Sequence, residues 1–241
     1  DYKPEELYIT VKAGTPLKII KDLLKKNNQH LAFEPINFSE IFENNSNEGT
    51  IGGTLSCNFS GARRFKVGSA RDHILGFKGF NGKGEKIKSG GTVVKNVTGY
   101  DLSKLITGSF GTLITLTEIT LKVLPLDPDS KTIIISGLPL EHGIAIMGSA
   151  ISSPNDPSGA VFYPENFRNS FVFNDLTYTG SITAIRVEGS KTSTKQRIEN
   201  LIDELSLKDK KLAVLDSTQS EIFWEETRSL KVFSKKKSNI L

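Results

Sequence analysis

One polar, glycine-containing segment decides the fold of this chain: Thr50-Ile51-Gly52-Gly53-Thr54-Leu55-Ser56-Cys57-Asn58-Phe59-Ser60-Gly61. It opens a window in which fourteen of the 21 glycines fall, from Gly49 to Gly111. Paired glycines among threonine, serine and asparagine let another molecule approach the backbone closely, and they offer free N–H groups and short hydroxyl donors. This composition predicts a site for a phosphate or for the polar edge of a ring. Taken alone, the segment also fits a tight turn between two strands.

A second element of the same kind is Gly108-Ser109-Phe110-Gly111-Thr112-Leu113. A hairpin and the turn Thr98-Gly99-Tyr100-Asp101 lie between the two elements. One extended ligand with two polar ends and a pyrophosphate, such as a dinucleotide, explains both elements better than two unrelated turns do. Asp101 has two interpretations, because it can approach that ligand or cap a helix that begins at Leu102.

Up to Pro125 the hydrophobic pattern predicts strands alternating with short helices. Asn81-Gly82-Lys83-Gly84 is a strong hairpin signal, because Asn-Gly suits a turn with positive φ. The predicted elements are a strand at Leu7–Val11, a helix after Pro16 with Leu17, Ile20, Leu23 and Leu24 on one face, an extended segment at Leu31–Phe38, hairpin strands at Ile74–Phe80 and Glu85–Lys88, a helix at Leu102–Ile106 and a strand at Thr112–Val123.

After Pro125 the predicted order changes to strand, helix, strand, strand, helix, strand, which is the order of a ferredoxin-like unit. The elements are Thr132–Ser136, Leu140–Ser152, Gly159–Tyr163, Ile182–Glu188, Thr194–Leu205 and Lys211–Leu215. The natural boundary is the proline-rich segment 125–130. The segment from Ser217 to Phe233, before a basic tail, is predicted to begin another helix or to return toward the first domain.

Charge and composition exclude several functional classes. The net charge is +4, and four lysines in the last eleven residues, Lys231 and Lys235–Lys237, account for all of it. Residues 1–230 thus carry no net charge, which argues against nucleic acid as a partner. The single cysteine, Cys57, and three scattered histidines give no metal-ligand cluster. No apolar run nears the roughly 18 residues of a spanning helix, so any membrane association would be peripheral and through partners.

An ordered series of motifs resembles the flavoproteins of the vanillyl-alcohol oxidase type, also called PCMH-type FAD-linked oxidases. Within them it is most similar to the FAD-binding subunits of bacterial glycolate oxidases. The resemblance covers about residues 1–126. Its most specific matches are Ser60-Gly61-Ala62-Arg63-Arg64 and Val94-Lys95-Asn96-Val97-Thr98-Gly99-Tyr100-Asp101-Leu102.

The resemblance implies an α+β fold: a PCMH-type FAD-binding domain at residues 1–126, a ferredoxin-like cap domain at 131–216, and a helix and basic tail at 217–241. It implies noncovalent FAD, since no histidine is placed for covalent attachment. The residues implied to bind FAD are Pro35, Thr50, Gly52, Gly53, Thr54, Cys57, Asn58, Ser60, Gly61, Thr98, Gly99, Gly111, Thr112, Ile114 and Leu116.

Departures from the family pattern lead to a further expectation. The phosphate loop that family members carry upstream does not precede Asp1, and no C-terminal metal and substrate motif of the related 2-hydroxy-acid dehydrogenases occurs. We therefore expect the chain to be truncated at both ends, with part of the pyrophosphate site missing. It should bind FAD more weakly than an intact relative.

In function, the resemblance implies the FAD-binding subunit of a cytoplasmic glycolate oxidase complex, which converts glycolate, a small 2-hydroxy acid, to glyoxylate. The implied partners are a second flavoprotein subunit and an iron–sulfur subunit, through which the complex would be peripheral at the inner membrane. Two alternatives stay open: a stand-alone FAD-dependent 2-hydroxy-acid or alcohol dehydrogenase, and a non-catalytic assembly subunit with a degenerate flavin groove.

No catalytic residue is assigned from the sequence. His30, His73 and His142 are interpreted as surface or capping residues, with His73 set apart because it follows Arg71-Asp72. Cys57 is interpreted as a packing residue that also lies along the cofactor, because no base accompanies it in the sequence.

Overall fold

The computed structural model describes residues 1–39, 41, 48–91, 100–170, 180–230 and 233. The chain divides into two compact units, Asp1–Leu126 and Asp127–Leu241. Helices and antiparallel sheets occur in both units, so the predicted α+β class is confirmed.

The first unit is built on a five-stranded antiparallel sheet with the order β1-β2-β6-β4-β5, and β3 pairs separately with β7. Its elements are β1 (Tyr2–Lys3), a 3₁₀ turn (Pro4–Glu6), β2 (Tyr8–Lys12), α1 (Leu17–Lys25), β3 (Gln29–His30), α2 (Ile51–Cys57), α3 (Arg64–Val67), α4 (Ala70–His73), β4 (Ile74–Phe80), β5 (Lys86–Gly90), α5 (Leu102–Ile106), β6 (Thr115–Lys122) and β7 (Leu124–Pro125).

One hydrophobic core supports this unit. Leu17, Ile20 and Leu24 of α1 are buried as their helical spacing predicts, whereas Leu23 is 38% exposed and lies at the edge of the predicted face. Strand residues of β2 and β6 complete the core, which also includes residues of α2. The helix that carries the decisive segment is therefore anchored in the core of the unit.

The predicted hairpin is confirmed between β4 and β5. Asn81 Oδ1 accepts hydrogen bonds from the amides of Lys83 and Glu85 at 2.9 and 3.0 Å, and Gly84 has a φ of +78°. An asparagine side chain that binds the backbone two residues ahead is the usual reason for its preference in turns.

The decisive segment itself is not the tight turn that it could also have formed, because residues 51–57 form the helix α2. Thr50 caps the helix by accepting from Gly53 N at 3.2 Å. Ile51 N and Gly52 N donate to Thr15 O and Ala13 O at 3.1 and 2.8 Å. Each glycine costs roughly 1 kcal/mol of helix propensity, and these caps and long-range bonds offset that cost.

The second unit contains one four-stranded antiparallel sheet with the order β11-β8-β10-β9. Its elements are β8 (Asp129–Ser136), α6 (Leu140–Ser152), β9 (Gly159–Tyr163), a 3₁₀ turn (Glu165–Ser170), β10 (Ile182–Gly189), α7 (Lys191–Glu204), β11 (Leu212–Leu215) and α8 (Ser217–Arg228). The strand–helix–strand–strand–helix–strand order gives the ferredoxin-like arrangement that the sequence predicts. The predicted basic tail lies outside the described residues, apart from Phe233.

The core of the second unit is separate from that of the first. Ile133 and Ile135 of β8 and Ile185 and Val187 of β10 pack with residues of α6 and α7. Trp224 of α8 is also buried, and its Nε1 donates to Thr132 Oγ1 of β8 at 2.8 Å. In the described part of the chain, no helix has the length and apolarity needed to cross a membrane.

Candidate functional site

The two glycine-containing elements of the first unit meet at the C-terminal end of α2. Gly108 N donates to Leu55 O at 3.0 Å, and Phe110 N donates to Ser56 O at 2.8 Å. These bonds satisfy carbonyl groups that the end of a helix leaves without partners. The structure therefore brings together the two segments that are predicted from the sequence to contact one ligand.

The amino-terminal end of α2 corrects one part of that interpretation. The sequence suggests free amides at the paired glycines, but Ile51 N, Gly52 N and Gly53 N donate to Thr15 O, Ala13 O and Thr50 Oγ1. The first two of these bonds attach the start of α2 to residues 13 and 15, which follow β2. The expectation of free amides at positions 52 and 53 is wrong.

Several of the predicted hydroxyl donors also act inside the protein. Thr54 Oγ1 donates to Thr50 O at 3.1 Å, and Thr112 Oγ1 donates to Ser109 O at 2.7 Å. Ser60 Oγ accepts from Ala70 N at 2.9 Å. These hydroxyl groups stabilise the turns around the site.

Gly52 and Gly53 face different surroundings. A Cβ at position 52 would lie 2.8 Å from Ala13 O, so packing inside the protein requires glycine there. Among the described residues, a Cβ at position 53 would meet only Thr50 Oγ1, at 3.5 Å, and Gly53 is exposed. Packing within the described part of the chain explains the first glycine and does not explain the second. A molecule that lies directly against α2 would explain it.

Gly61 and Pro35 lie in two segments that are joined directly. Gly61 N donates to Phe33 O at 2.9 Å, and a Cβ at position 61 would lie 2.6 Å from Glu34 O. Glu34 itself has a φ of +49°, which is unusual for a residue before proline. Its carboxylate accepts from Arg63 N at 3.2 Å, which holds the two segments together.

The remaining predicted cofactor residues are placed differently by the structure. Gly111 and Thr112 are exposed, Cys57 is a half-buried free thiol, and Leu116 is half-buried. Ile114 is buried in the core. Thr98 and Gly99 lie outside the described residues.

Two side chains act as helix caps. Asp101 Oδ1 accepts from Lys104 N at 3.2 Å at the start of α5, so the capping interpretation of Asp101 is confirmed. Asn58 ends α2 with a φ of +54°, and its Oδ1 accepts from Arg71 N at 3.0 Å. A short polar side chain tolerates this left-handed conformation better than most residues do.

The interpretation of His73 as a surface residue is wrong, but its alternative as a capping residue agrees with the bond of its ring to the carbonyl of Val67, the last residue of α3. The side chain is 2% exposed, its ring lies 5.3 Å from that of Phe33, and Nε2 is bonded to Val67 O at 3.1 Å. Nδ1 is buried and has no hydrogen-bond partner among the described residues. Burial lowers the pKa of His73 below its ordinary value, although the bond to Val67 opposes this shift. A buried imidazole cannot reach a substrate.

In the described ranges, no group of three or more histidine, cysteine, aspartate or glutamate side chains is arranged to hold a metal ion.

Comparison with known proteins shows what the first unit is similar to. Residues 1–90 match a family model described as an FAD binding domain. The glycolate oxidase subunit GlcE of Escherichia coli (strain K12) is 46% identical over 125 residues, which are 52% of this chain and 34% of that protein. The glycolate oxidase subunit GlcD of Bacillus subtilis (strain 168) is 40% identical over 85 residues, which are 35% of this chain and 18% of that protein.

Two further similarities extend over nearly the whole chain. A D-lactate dehydrogenase of Anaerostipes hadrus is 26% identical over 237 residues, which are 95% of this chain and 47% of that protein. A solved alkyldihydroxyacetonephosphate synthase has a TM-score of 0.70 at 19% identity, covering 95% of this chain and 43% of the other. At that identity the structural match shows the fold alone.

The chain spans about a third of the length of GlcE and less of GlcD. The matched part carries the helix α2, the Glu34–Pro35 turn and the β4–β5 hairpin. Residues 1–90 of the first unit are thus similar to FAD binding domains, and part of the chain is similar to subunits of glycolate oxidases.

Proposed function

We propose that this chain binds FAD noncovalently as part of a glycolate oxidase subunit, in a complex that oxidises glycolate to glyoxylate. The identity to two glycolate oxidase subunits supports the substrate. The observation that carries the cofactor assignment is Gly53, an exposed glycine inside a helix for whose missing side chain the described residues give no packing reason.

The proposed cofactor site consists of an accessible set and a supporting set. The accessible residues, which are exposed or half-buried, are Thr50, Gly53, Cys57, Asn58, Ser60, Gly61, Gly111, Thr112 and Leu116. The buried residues, which shape the surface from behind, are Pro35, Gly52, Thr54 and Ile114. Thr98 and Gly99 complete the proposed set.

When bound, FAD supplies the acceptor for the two electrons that a 2-hydroxy acid loses on becoming a 2-oxo acid. The chain's own contribution is to bind and orient: α2 presents the bare backbone at Gly53, and the loop 108–112 flanks its C-terminal end. His73 takes no direct part, because it is buried.

The electrons must leave through other proteins in this proposal. The chain has one cysteine, so it cannot supply the four thiolates of an iron–sulfur cluster. A second flavoprotein subunit and an iron–sulfur subunit are the proposed partners. The complex is proposed to be cytoplasmic and to reach the inner membrane only through those partners.

The test compares two glycines that are both helical, exposed and free of close neighbours: Gly53 in α2 and Gly148 in α6. We expect Gly53→Val to weaken FAD binding by at least about tenfold, because a branched side chain would displace the cofactor from the helix. Flavin fluorescence and equilibrium dialysis measure this. Gly148→Val is the matched control and should leave FAD binding unchanged.

The same variants test activity in a complex assembled with the partner subunits. Glycolate-dependent dye reduction should fall with Gly53→Val and persist with Gly148→Val. Unchanged activity with Gly53→Val, in a chain that takes up no FAD, would instead identify a non-catalytic assembly subunit with a degenerate groove.

A second candidate function is a stand-alone FAD-dependent hydroxy-acid dehydrogenase. It is favoured by the D-lactate dehydrogenase similarity, which extends through the second unit. Bleaching of the flavin spectrum by D-lactate, with no partner subunit present, would select this function over the first.

A further inference from the structure

Two short helices near the proposed site exchange hydrogen bonds through their cationic side chains. Lys104 Nζ, from α5, donates to Arg71 O at 2.6 Å and to Ile74 O at 3.3 Å at the end of α4. Arg71 Nε donates back to Lys104 O at 2.9 Å. The carbonyl groups at a helix end lack partners within the helix, so a lysine that reaches them acts as a C-terminal cap.

The opposite end of α4 is bound to the turn that follows α2. Asn58 Oδ1 accepts from Arg71 N, and Ser60 Oγ accepts from Ala70 N, at 3.0 and 2.9 Å. With only four residues, α4 makes few hydrogen bonds of its own and depends on these external partners. The position of residues 58–60 is thereby tied to the position of α4.

The other helix, α5, leads directly into the loop 108–112. That loop is bonded to the end of α2 through Gly108 N and Phe110 N. The contacts therefore close a ring: α2, the turn 58–60, α4, α5, the loop 108–112 and again α2. We call this closed set of contacts the α2–α5 ring.

Lys104 is the link that spans α4 and α5 in this ring. Its ammonium group is partly buried, and that burial lowers the pKa of Lys104, while Asp101 and Asp72 oppose the shift. A cation in such a position costs free energy unless it is hydrogen-bonded, and its two bonds to carbonyl groups satisfy that need.

We propose that Lys104 is a positioning residue: through the α2–α5 ring it fixes the turn 58–60 relative to the loop 108–112, and so shapes the surface on which the cofactor lies. The cofactor part of this inference rests on the proposed function. The ring itself is a property of the protein without a ligand, so the two can be tested separately.

The experiment replaces Lys104 with methionine, which keeps the length and apolar stem and removes the donor. In the Lys104→Met chain, amide hydrogen exchange at Ala70, Arg71, Gly108 and Phe110 should accelerate by about tenfold. FAD should bind about tenfold more weakly, and at saturation the visible circular dichroism of the bound flavin should change. Lys18→Met, on the exposed side of α1, is the matched control and should change neither measurement.

Arg71→Met provides a milder second variant, because it removes one bond and leaves the two donated by Lys104. The same amides should exchange faster, by a smaller factor. Unchanged exchange at Gly108 and Phe110 in both variants would overturn the ring. Faster exchange with an unchanged flavin spectrum and affinity would overturn the positioning role. A wild-type chain that binds no FAD would overturn the proposed function and the positioning role, and the exchange data would still decide on the ring.

Discussion

At the scale of single residues, Gly52 and Gly53 lie in one helix but have different surroundings: position 52 is tightly packed and position 53 is exposed. Gly53→Ala should raise the stability of the first unit by about 0.5–1 kcal/mol, because alanine is the better helix former and the site is open. Gly52→Ala should lower it by about 1–3 kcal/mol, because the new methyl group would overlap Ala13.

Urea denaturation followed by two probes tests this pair. Far-UV circular dichroism reports on both units, whereas the single tryptophan, Trp224, lies in the second. The shifts should therefore appear in the dichroism and not in the tryptophan fluorescence. Equal effects of the two substitutions would show that position 52 is no more tightly packed than position 53.

The burial of His73 leads to a prediction of how the stability of the first unit changes with pH. Burial lowers the pKa of its imidazole in the folded state, so the unfolded chain binds the proton more readily. The contribution of His73 to the free energy of unfolding is therefore fully present above pH 6.5, the ordinary pKa of histidine. It is lost as the pH falls below that value, at up to about 1.4 kcal/mol per pH unit until the folded-state pKa is reached.

Unfolding measured between pH 7.5 and 5 checks this expectation. His73→Gln should flatten the loss of stability in acid, since glutamine carries no titrating group and can still donate to Val67 O. The exposed His142 supplies the control, and His142→Gln should leave the pH dependence as it is in the wild type. An equally steep acid dependence in His73→Gln would assign it to other groups.

At the scale of elements, two buried threonines of the second sheet differ in the hydrogen bonding of their hydroxyl groups. Thr132 Oγ1 accepts from Trp224 Nε1 and is bonded to Ser220 Oγ at 2.7 Å, which joins α8 to β8. Thr183 Oγ1, on β10, is buried and has no hydrogen-bond partner among the described residues. Both side chains are fully buried.

Thr132→Val should therefore destabilise the second unit by about 1–3 kcal/mol, because it leaves the indole N–H buried without an acceptor. Thr183→Val has the same change of shape and should be neutral or stabilising, because it removes an unpaired hydroxyl. Urea unfolding followed by Trp224 fluorescence measures both. A similar loss in the two variants would mean that shape, and not the hydrogen bond, matters at position 132.

At the scale of the whole molecule, each unit has its own hydrophobic core, and the two cores share no residue. Each unit also has the size of an ordinary domain. We expect fragments 1–126 and 127–241 to unfold cooperatively when produced separately, and the second to keep the fluorescence of a buried Trp224. Calorimetry and fluorescence test this. A non-cooperative fragment 127–241 would show that its fold depends on the first unit.

The sequence alone determined the features that depend on neighbouring residues. The Asn81 turn and the strand and helix order of the second unit could be predicted, because each arises from bonds or periodicity within a few residues. The motif series also indicated the similarity of residues 1–90 to FAD binding domains.

Only the tertiary structure decided that residues 51–57 form a helix and that their first amides are occupied. Glycine propensity opposes that helix, and the opposing bonds come from Thr15 and Ala13, which are distant in sequence. The burial of His73 and the α2–α5 ring have the same origin. Such features depend on which segments the fold brings together, and local residue patterns carry no signal for that.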